Sequence, residues 1–190
     1  MPDRARRQLT LGGICAALLP PLLFPTLAGA GQAALRPPAG EVLLRVRGVA
    51  QHLQNLQEDA AFDFDMLQDL AVDSFTTRSP WAEAPQTFRG TPLSALLARL
   101  SIRQGTLRAR ASNDYVITIP VSDAVPEGPL IAWEVDGKRL DLRSRGPLWL
   151  IYPFDRDPRW RTERVYSSCI WQLNALDWLG QPQPPAPKGR

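Results

Sequence analysis

The stretch Thr87-Phe88-Arg89-Gly90-Thr91-Pro92-Leu93-Ser94-Ala95-Leu96-Leu97 decides how this chain is read. In its second half Leu93, Leu96, Leu97 and Leu100 recur at spacings of three and four, which predicts one apolar face of a helix over residues 92–100. Pro92 suits the first turn, where a missing N–H costs nothing, and Thr91 stands where a capping hydroxyl belongs. A leucine stripe of this kind has to be covered, and the sequence around it supplies sheet.

Upstream, residues 41–48 alternate Val42, Leu44 and Val46 against Leu43, Arg45 and Arg47, the two-residue period of a half-buried strand that ends at Gly48. Residues 64–71 form a short helix with Met66, Leu67 and Leu70 on one face and Asp63 or Asp65 as its cap. Residues 72–77 lead as a strand into Pro80-Trp81. Downstream, strands are expected at 106–111, 115–120 and 130–135. Asp136-Gly137 supplies the residue pair of a tight hairpin turn, whose central positions need positive φ, and 138–142 returns. An apolar strand at 148–152 is bounded by Gly146-Pro147 and Pro153, and 170–178 forms the last apolar element. This pattern predicts an α+β fold, a strand-rich single domain over residues 41–178 with a sizeable core.

The two ends differ in composition from this middle. Residues 1–33 carry Arg4, Arg6 and Arg7, then an apolar run broken by Gly12-Gly13, Pro20, Pro21 and Pro25, then Ala28-Gly29-Ala30 and Gly31-Gln32-Ala33. That is the layout of a cleavable signal peptide, and it is too interrupted for a retained membrane-spanning helix. Arg6-Arg7 leaves the general and the twin-arginine export routes both open. The chain is therefore expected to be periplasmic or secreted, and not an integral membrane protein. Residues 179–190, rich in proline, are expected to be a disordered tail, and Arg36-Pro37-Pro38 a loose opening.

Export also changes the charge. The chain has 22 Lys and Arg, 19 Asp and Glu and a formal net charge of +3; without residues 1–30 it carries 19 basic and 18 acidic side chains, net +1. With no basic run interleaved with aromatics, nucleic acid is not an expected partner. Cys15 leaves with the leader, so Cys169 stands alone and reads as a buried thiol in an apolar strand.

Several segments together carry a family resemblance. The stretch Thr87–Leu93 with Leu96-Leu97, then Asn113-Asp114-Tyr115 with Ile119-Pro120, Asp136-Gly137 with Leu140, Gly146-Pro147 with Tyr152-Pro153, and Trp171-Gln172-Leu173 resemble, in order, the molybdopterin-binding oxidoreductase domain of sulfite oxidases and their bacterial relatives. The resemblance implies the sulfite oxidase fold and a cofactor cleft. It also marks departures. The molybdenum-ligand cysteine of the catalytic members lies upstream of the "F-x-G-x-P-L" segment, where this chain reads Ser74-Phe75-Thr76-Thr77-Arg78-Ser79-Pro80-Trp81. Trp149 occupies the place of an arginine suited to oxyanions, and Ile170 the place of a lysine. Cys169 is expected to lie on a late strand away from the cleft.

The resemblance thus implies a scaffold without catalytic molybdenum and, by expectation, without a cofactor. The leading expectation is an exported ligand- or partner-binding module, sensing a small molecule or a periplasmic or membrane partner protein through the old cleft, with Arg78, Trp81, Asn113, Tyr115 and Trp149 as candidate ligand-binding residues. The contrary class is a periplasmic molybdopterin-dependent oxidoreductase that holds its cofactor without the usual cysteine. A purely structural subunit has no positive feature in its favour. Among the remaining residues, Arg156, Arg159, Arg161 and Arg164 alternate with acids as a solvated surface does, and His52 lacks any catalytic pattern around it. Ser167-Ser168-Cys169 has no nearby histidine, so hydrolysis is not expected. Most of the tryptophans, Trp160 and Trp171 included, are read first as core.

The leader reading has a direct check: the intact mass of exported protein should correspond to a chain starting at Gly31 or Ala34, and exported soluble protein that retains Met1 contradicts it. Replacing Arg6 and Arg7 together by lysine should stop export only if the twin-arginine route is used.

Overall fold

The computed structural model describes residues 33–180. The expected signal peptide over 1–33, apart from Ala33, and the tail from 181 onward lie outside the described residues. In chain order the elements are β1 (Leu44–Arg47), β2 (Ala60–Phe62), α1 (Phe64–Leu70), β3 (Asp73–Ser79), β4 (Ala82–Pro92), α2 (Leu93–Arg99), β5 (Thr106–Ala111), β6 (Val116–Pro120), β7 (Leu130–Val135), β8 (Lys138–Arg139), β9 (Trp149–Ile151), α3 (Glu163–Ser167), β10 (Ile170–Trp171) and β11 (Leu173–Trp178). They form two sheets, one ordered β2-β1-β11-β5-β6 and the other β10-β9-β7-β4-β3, with β8 attached to β7. The protein is a strand-rich α+β domain whose buried residues form one continuous core. Among the described residues no helix is long and apolar enough to cross a membrane.

The opening stretch is half strand and half helix. Phe88 packs edge-on to Trp149 with ring centroids 5.3 Å apart, and Gly90 lies so close to β7 that a Cβ there would run into the Ile131 carbonyl and the Ala132 Cα. A glycine is therefore required where β4 bulges against β7. Thr91 does not cap the helix as expected: its hydroxyl donates to the Leu67 carbonyl at 2.7 Å, tying β4 to α1. Pro92 is the residue before the first turn, with no side-chain cap, and the Leu93 N–H donates instead to the Pro129 carbonyl. Leu93, Leu96, Leu97 and Leu100 are all buried as their spacing predicts, each burial contributing roughly 2 kcal/mol.

Two strands depart from the sequence pattern. β4 spans residues whose outer half carries Pro85 and alternates poorly; it pairs with β7 only from Phe88 onward, so the proline meets β3 on one side alone. The last apolar element is two strands in two different sheets, because Gln172 adopts φ 54° and turns the chain between them. β11 then runs between β1, to which it is parallel, and β5. Its buried Asp177 is held by Arg108 at 2.9 Å and by Arg47 at 3.5 Å, the arginines on the strands either side. At the hairpin, Asp136 (φ 50°) and Gly137 (φ 75°) adopt the expected positive φ.

The chain before β1 is not loose. Asp63 caps α1 through the Met66 N–H at 2.8 Å and also accepts from the N–H groups of Ala39 and Gly40, while Asn55 Nδ2 donates to the Arg36 carbonyl. Burial alone would raise the Asp63 carboxyl, but these three N–H groups and the Arg36 guanidinium hold it below the usual carboxylate range. Asp63→Ala should cost about 2 kcal/mol or more, since it loses a cap and an anchor together. Because the folded pKa is depressed, that contribution is present above the unfolded carboxylate pKa and is lost as the pH falls through the folded one. Denaturant titrations of the protein and of Asp63→Asn at neutral and strongly acid pH should show a gap in stability that narrows in acid; a gap independent of pH contradicts the role given to the charge.

Candidate functional site

Three turns converge at one end of the domain. The β3–β4 turn carries Trp81, the β5–β6 turn carries Asn113 and Tyr115, and the segment from α3 into β10 carries Tyr166, Cys169 and Trp171; together they enclose a cleft of about 290 Å³. Each turn has a local cause. In β5–β6, Asp114 takes φ 64° and its N–H donates to Ala111, while Asn113 Oδ1 accepts from the Tyr115 N–H at 3.2 Å, so the short polar side chain itself closes the turn. Helix α3 is capped by Thr162, whose hydroxyl accepts from the Val165 N–H. It is stopped before β10 by the Ser168 hydroxyl, which donates back to the Arg164 carbonyl.

The walls of the cleft are aromatic. Trp81 stands edge-on to Trp171 at 6.1 Å and to Trp149 at 5.8 Å, with Phe154 behind it at 6.2 Å. Tyr115 is half exposed at the rim and Trp171 more than a third exposed. Among the described residues no basic or acidic side chain lines the cleft. Its one sulfur, Cys169, is 5% exposed and donates to the Val165 carbonyl. Burial pushes this thiol well above the ordinary range, with the Tyr152 backbone only partly opposing it. Below the cleft, Tyr152 donates to Asp123 at 2.9 Å and Arg164 pairs with the same carboxylate at 3.0 Å. Burial and then the Asp123 charge push the Tyr152 hydroxyl far up, so it acts as a fixed donor that locks β9 to this corner.

Of the candidate residues, Trp81, Asn113 and Tyr115 meet in this cleft. Arg78 does not line it: its side chain is exposed, its backbone N–H donates to Asp155, and its guanidinium lies 3.9 Å from the same carboxylate. The alternation of β3 explains this, since Thr77 turns inward to meet the Asp155 N–H and Arg78 therefore faces out. Trp149 is fully buried behind Trp81 and borders a different cavity. The expectation that Cys169 lies away from the cleft is corrected, because the turn at Gln172 brings the end of α3 and the start of β10 to the wall. Trp171, read first as core, lines the cleft, as do Ser167, weighed only as a nucleophile, and Tyr166, which the sequence did not single out. The arginines at 156, 159, 161 and 164 are bound locally, to the Glu127 carbonyl, Asp157, Asp155 and Asp123.

Comparison with known proteins adds no assignment: no protein-family model matches the chain, and no curated protein matches it. The chemistry of the cleft can still be set against what molybdopterin demands, namely cationic partners for its phosphate and a thiolate on the metal. The lining offers no cation, and its one sulfur is a thiol bonded to a backbone carbonyl. These residues do not fit the cofactor. What they can do is pack aromatic surface against a flat, uncharged group and meet its polar edge through Asn113, Ser167 and the tyrosine hydroxyls.

Proposed function

We propose that this protein is an exported binding module, built on a scaffold of the molybdopterin-oxidoreductase kind, that recognises a small planar uncharged ligand in the cleft of Trp81, Asn113, Tyr115 and Trp171. The observation that carries the proposal is the meeting of aromatic side chains from three separate turns around a concave space without a charge. A site for an anionic cofactor needs guanidinium or ammonium groups, whereas a neutral heteroaromatic ligand gains from stacking and from a few hydrogen bonds that fix its orientation. The ordered departures in sequence support the same reading: a cysteine missing before Trp81 and a tryptophan in place of an arginine at 149 both remove partners of an anionic metal centre. The oxidoreductase alternative has no such support in the cleft.

Two measurements test this. Protein produced in a host that makes molybdopterin should carry no stoichiometric molybdenum after gel filtration and show no sulfite or sulfoxide turnover; near-equimolar molybdenum that disappears in Cys169→Ser contradicts the proposal. In a ligand-observed magnetic resonance screen, neutral heteroaromatic fragments should bind, and Trp81→Ala and Tyr115→Ala should each weaken them by about tenfold, the value of one stacking contact. Fragments that bind both variants unchanged place the ligand elsewhere.

A further inference from the structure

A second cavity, of about 490 Å³, is bordered by the β7–β8 hairpin, by Arg143 and Arg145 of the turn that follows, by Gln86 of β4 and by Trp149 of β9. Its chemistry is the reverse of the cleft's. Lys138, Arg139, Arg143 and Arg145 all line it, and among the described residues none of the four has a carboxylate within ion-pair distance. Elsewhere in the domain arginines commonly face acids, as Arg47, Arg108 and Arg164 do. Two of the four are positioned by aromatic rings instead: Arg139 lies over Phe64 at 3.2 Å, and Arg145 over Trp149 at 5.0 Å and Trp171 at 5.6 Å. A ring orients a guanidinium without neutralising it. The one acid in the wall, Asp136, is already occupied by the Thr87 N–H at 2.8 Å and by Gln86 Nε2 at 3.3 Å.

The same wall holds two polar atoms with no partner. Trp149 is 1% exposed; among the described residues its indole N–H has no acceptor and the Gln86 carbonyl oxygen has no donor, both atoms being buried behind the cavity surface. Buried groups of this kind are costly to leave unmade. Anionic oxygens are the ligand chemistry that answers the ammonium and guanidinium groups of this wall. Four cations against a single occupied acid favour a dianionic phosphate over a single carboxylate, and arginine forks suit its oxygens.

We propose that this cavity is a second binding site, for the phosphate group of a small phosphate ester. The group reaches it either as a free ester or as the headgroup of an anionic lipid. It is lined by a different set of residues from the cleft and meets it through the packing of Trp149 on Trp81 and Trp171 and of Arg145 over Trp171.

The test titrates the exported protein, with labelled tryptophan, against glycerol 3-phosphate, and in parallel sediments it with phosphatidylglycerol or phosphatidylcholine vesicles. The Trp149 indole N–H signal, assigned through Trp149→Phe, should shift saturably, or the protein should follow phosphatidylglycerol vesicles only. Which of the two occurs identifies the source of the phosphate. The paired change Arg143→Gln and Arg145→Gln should weaken the response at least about tenfold. Lys138→Gln, on the exposed hairpin, should weaken it too, and carries the test should the paired change perturb folding. Tyr115→Ala should leave it intact. No response to about 10 mM ester together with no vesicle binding overturns the proposal, as does a response unchanged in all the charge variants.

Discussion

Everything distinctive in this domain depends on one backbone constraint, the left-handed conformation of Gln172. Within a single residue the chain leaves the edge of one sheet and enters the middle of the other, so β10 and β11 belong to different layers although they are adjacent in sequence. The residue is held from every side: its N–H donates to the Arg145 carbonyl, its own carbonyl accepts from Ser112, its side chain reaches the Leu142 carbonyl, and the next N–H donates to Leu148. Those bonds satisfy backbone groups that no ladder could, which is what makes a non-glycine left-handed residue tolerable here. They also fix the β5–β6 turn and the loop after β8 relative to the crossing point.

Two chemically opposed spaces follow from this crossing. Before Gln172, Cys169 and Trp171 are delivered to a neutral aromatic cleft, together with Trp81 and Tyr115. On the side of Arg145, whose carbonyl holds the crossing residue, lies a cavity with four cations. The register partners Trp149 on β9 and Trp171 on β10 join the two spaces, Trp171 lining the cleft and Trp149 the cavity. Aromatic packing separates the charged space from the uncharged one, with Arg145 resting on the faces of both rings.

Much of this was legible in the sequence where local patterns govern. The helix stripe at Leu93, Leu96, Leu97 and Leu100, the Asp63 cap and the Asp136-Gly137 turn are each set by neighbours within a few residues, and each forms as the pattern predicts. What escaped was set by distant partners. The Thr91 hydroxyl went to Leu67 instead of its own helix; β4 was hidden because its outer half pairs on one side only; and the division at Gln172 leaves no local signature, glutamine being an ordinary strand-edge residue. The cleft shows both cases. Trp81, Asn113 and Tyr115 were found through the order of motif segments, while Tyr166, Ser167 and Cys169 arrive by way of that unsigned division. Arg78 was misplaced by one step of strand alternation, which sends its side chain to solvent.

On the proposed reading the cleft is an uncharged pocket whose wall carries a buried thiol, raised by burial, in place of a thiolate that could hold a metal. The most direct measurement is the pH profile of Cys169 alkylation in the folded protein carrying Cys15→Ser, which has no other cysteine. Only the thiolate reacts, so a thiol pushed upward by burial should react at least about a hundredfold more slowly than in the unfolded chain at mildly alkaline pH, with a rate that keeps rising with pH and shows no plateau. A plateau at or below the ordinary thiol range, with fast labelling at neutral pH, would mean that Cys169 is held as a thiolate and that the cleft is built for a cation or a metal.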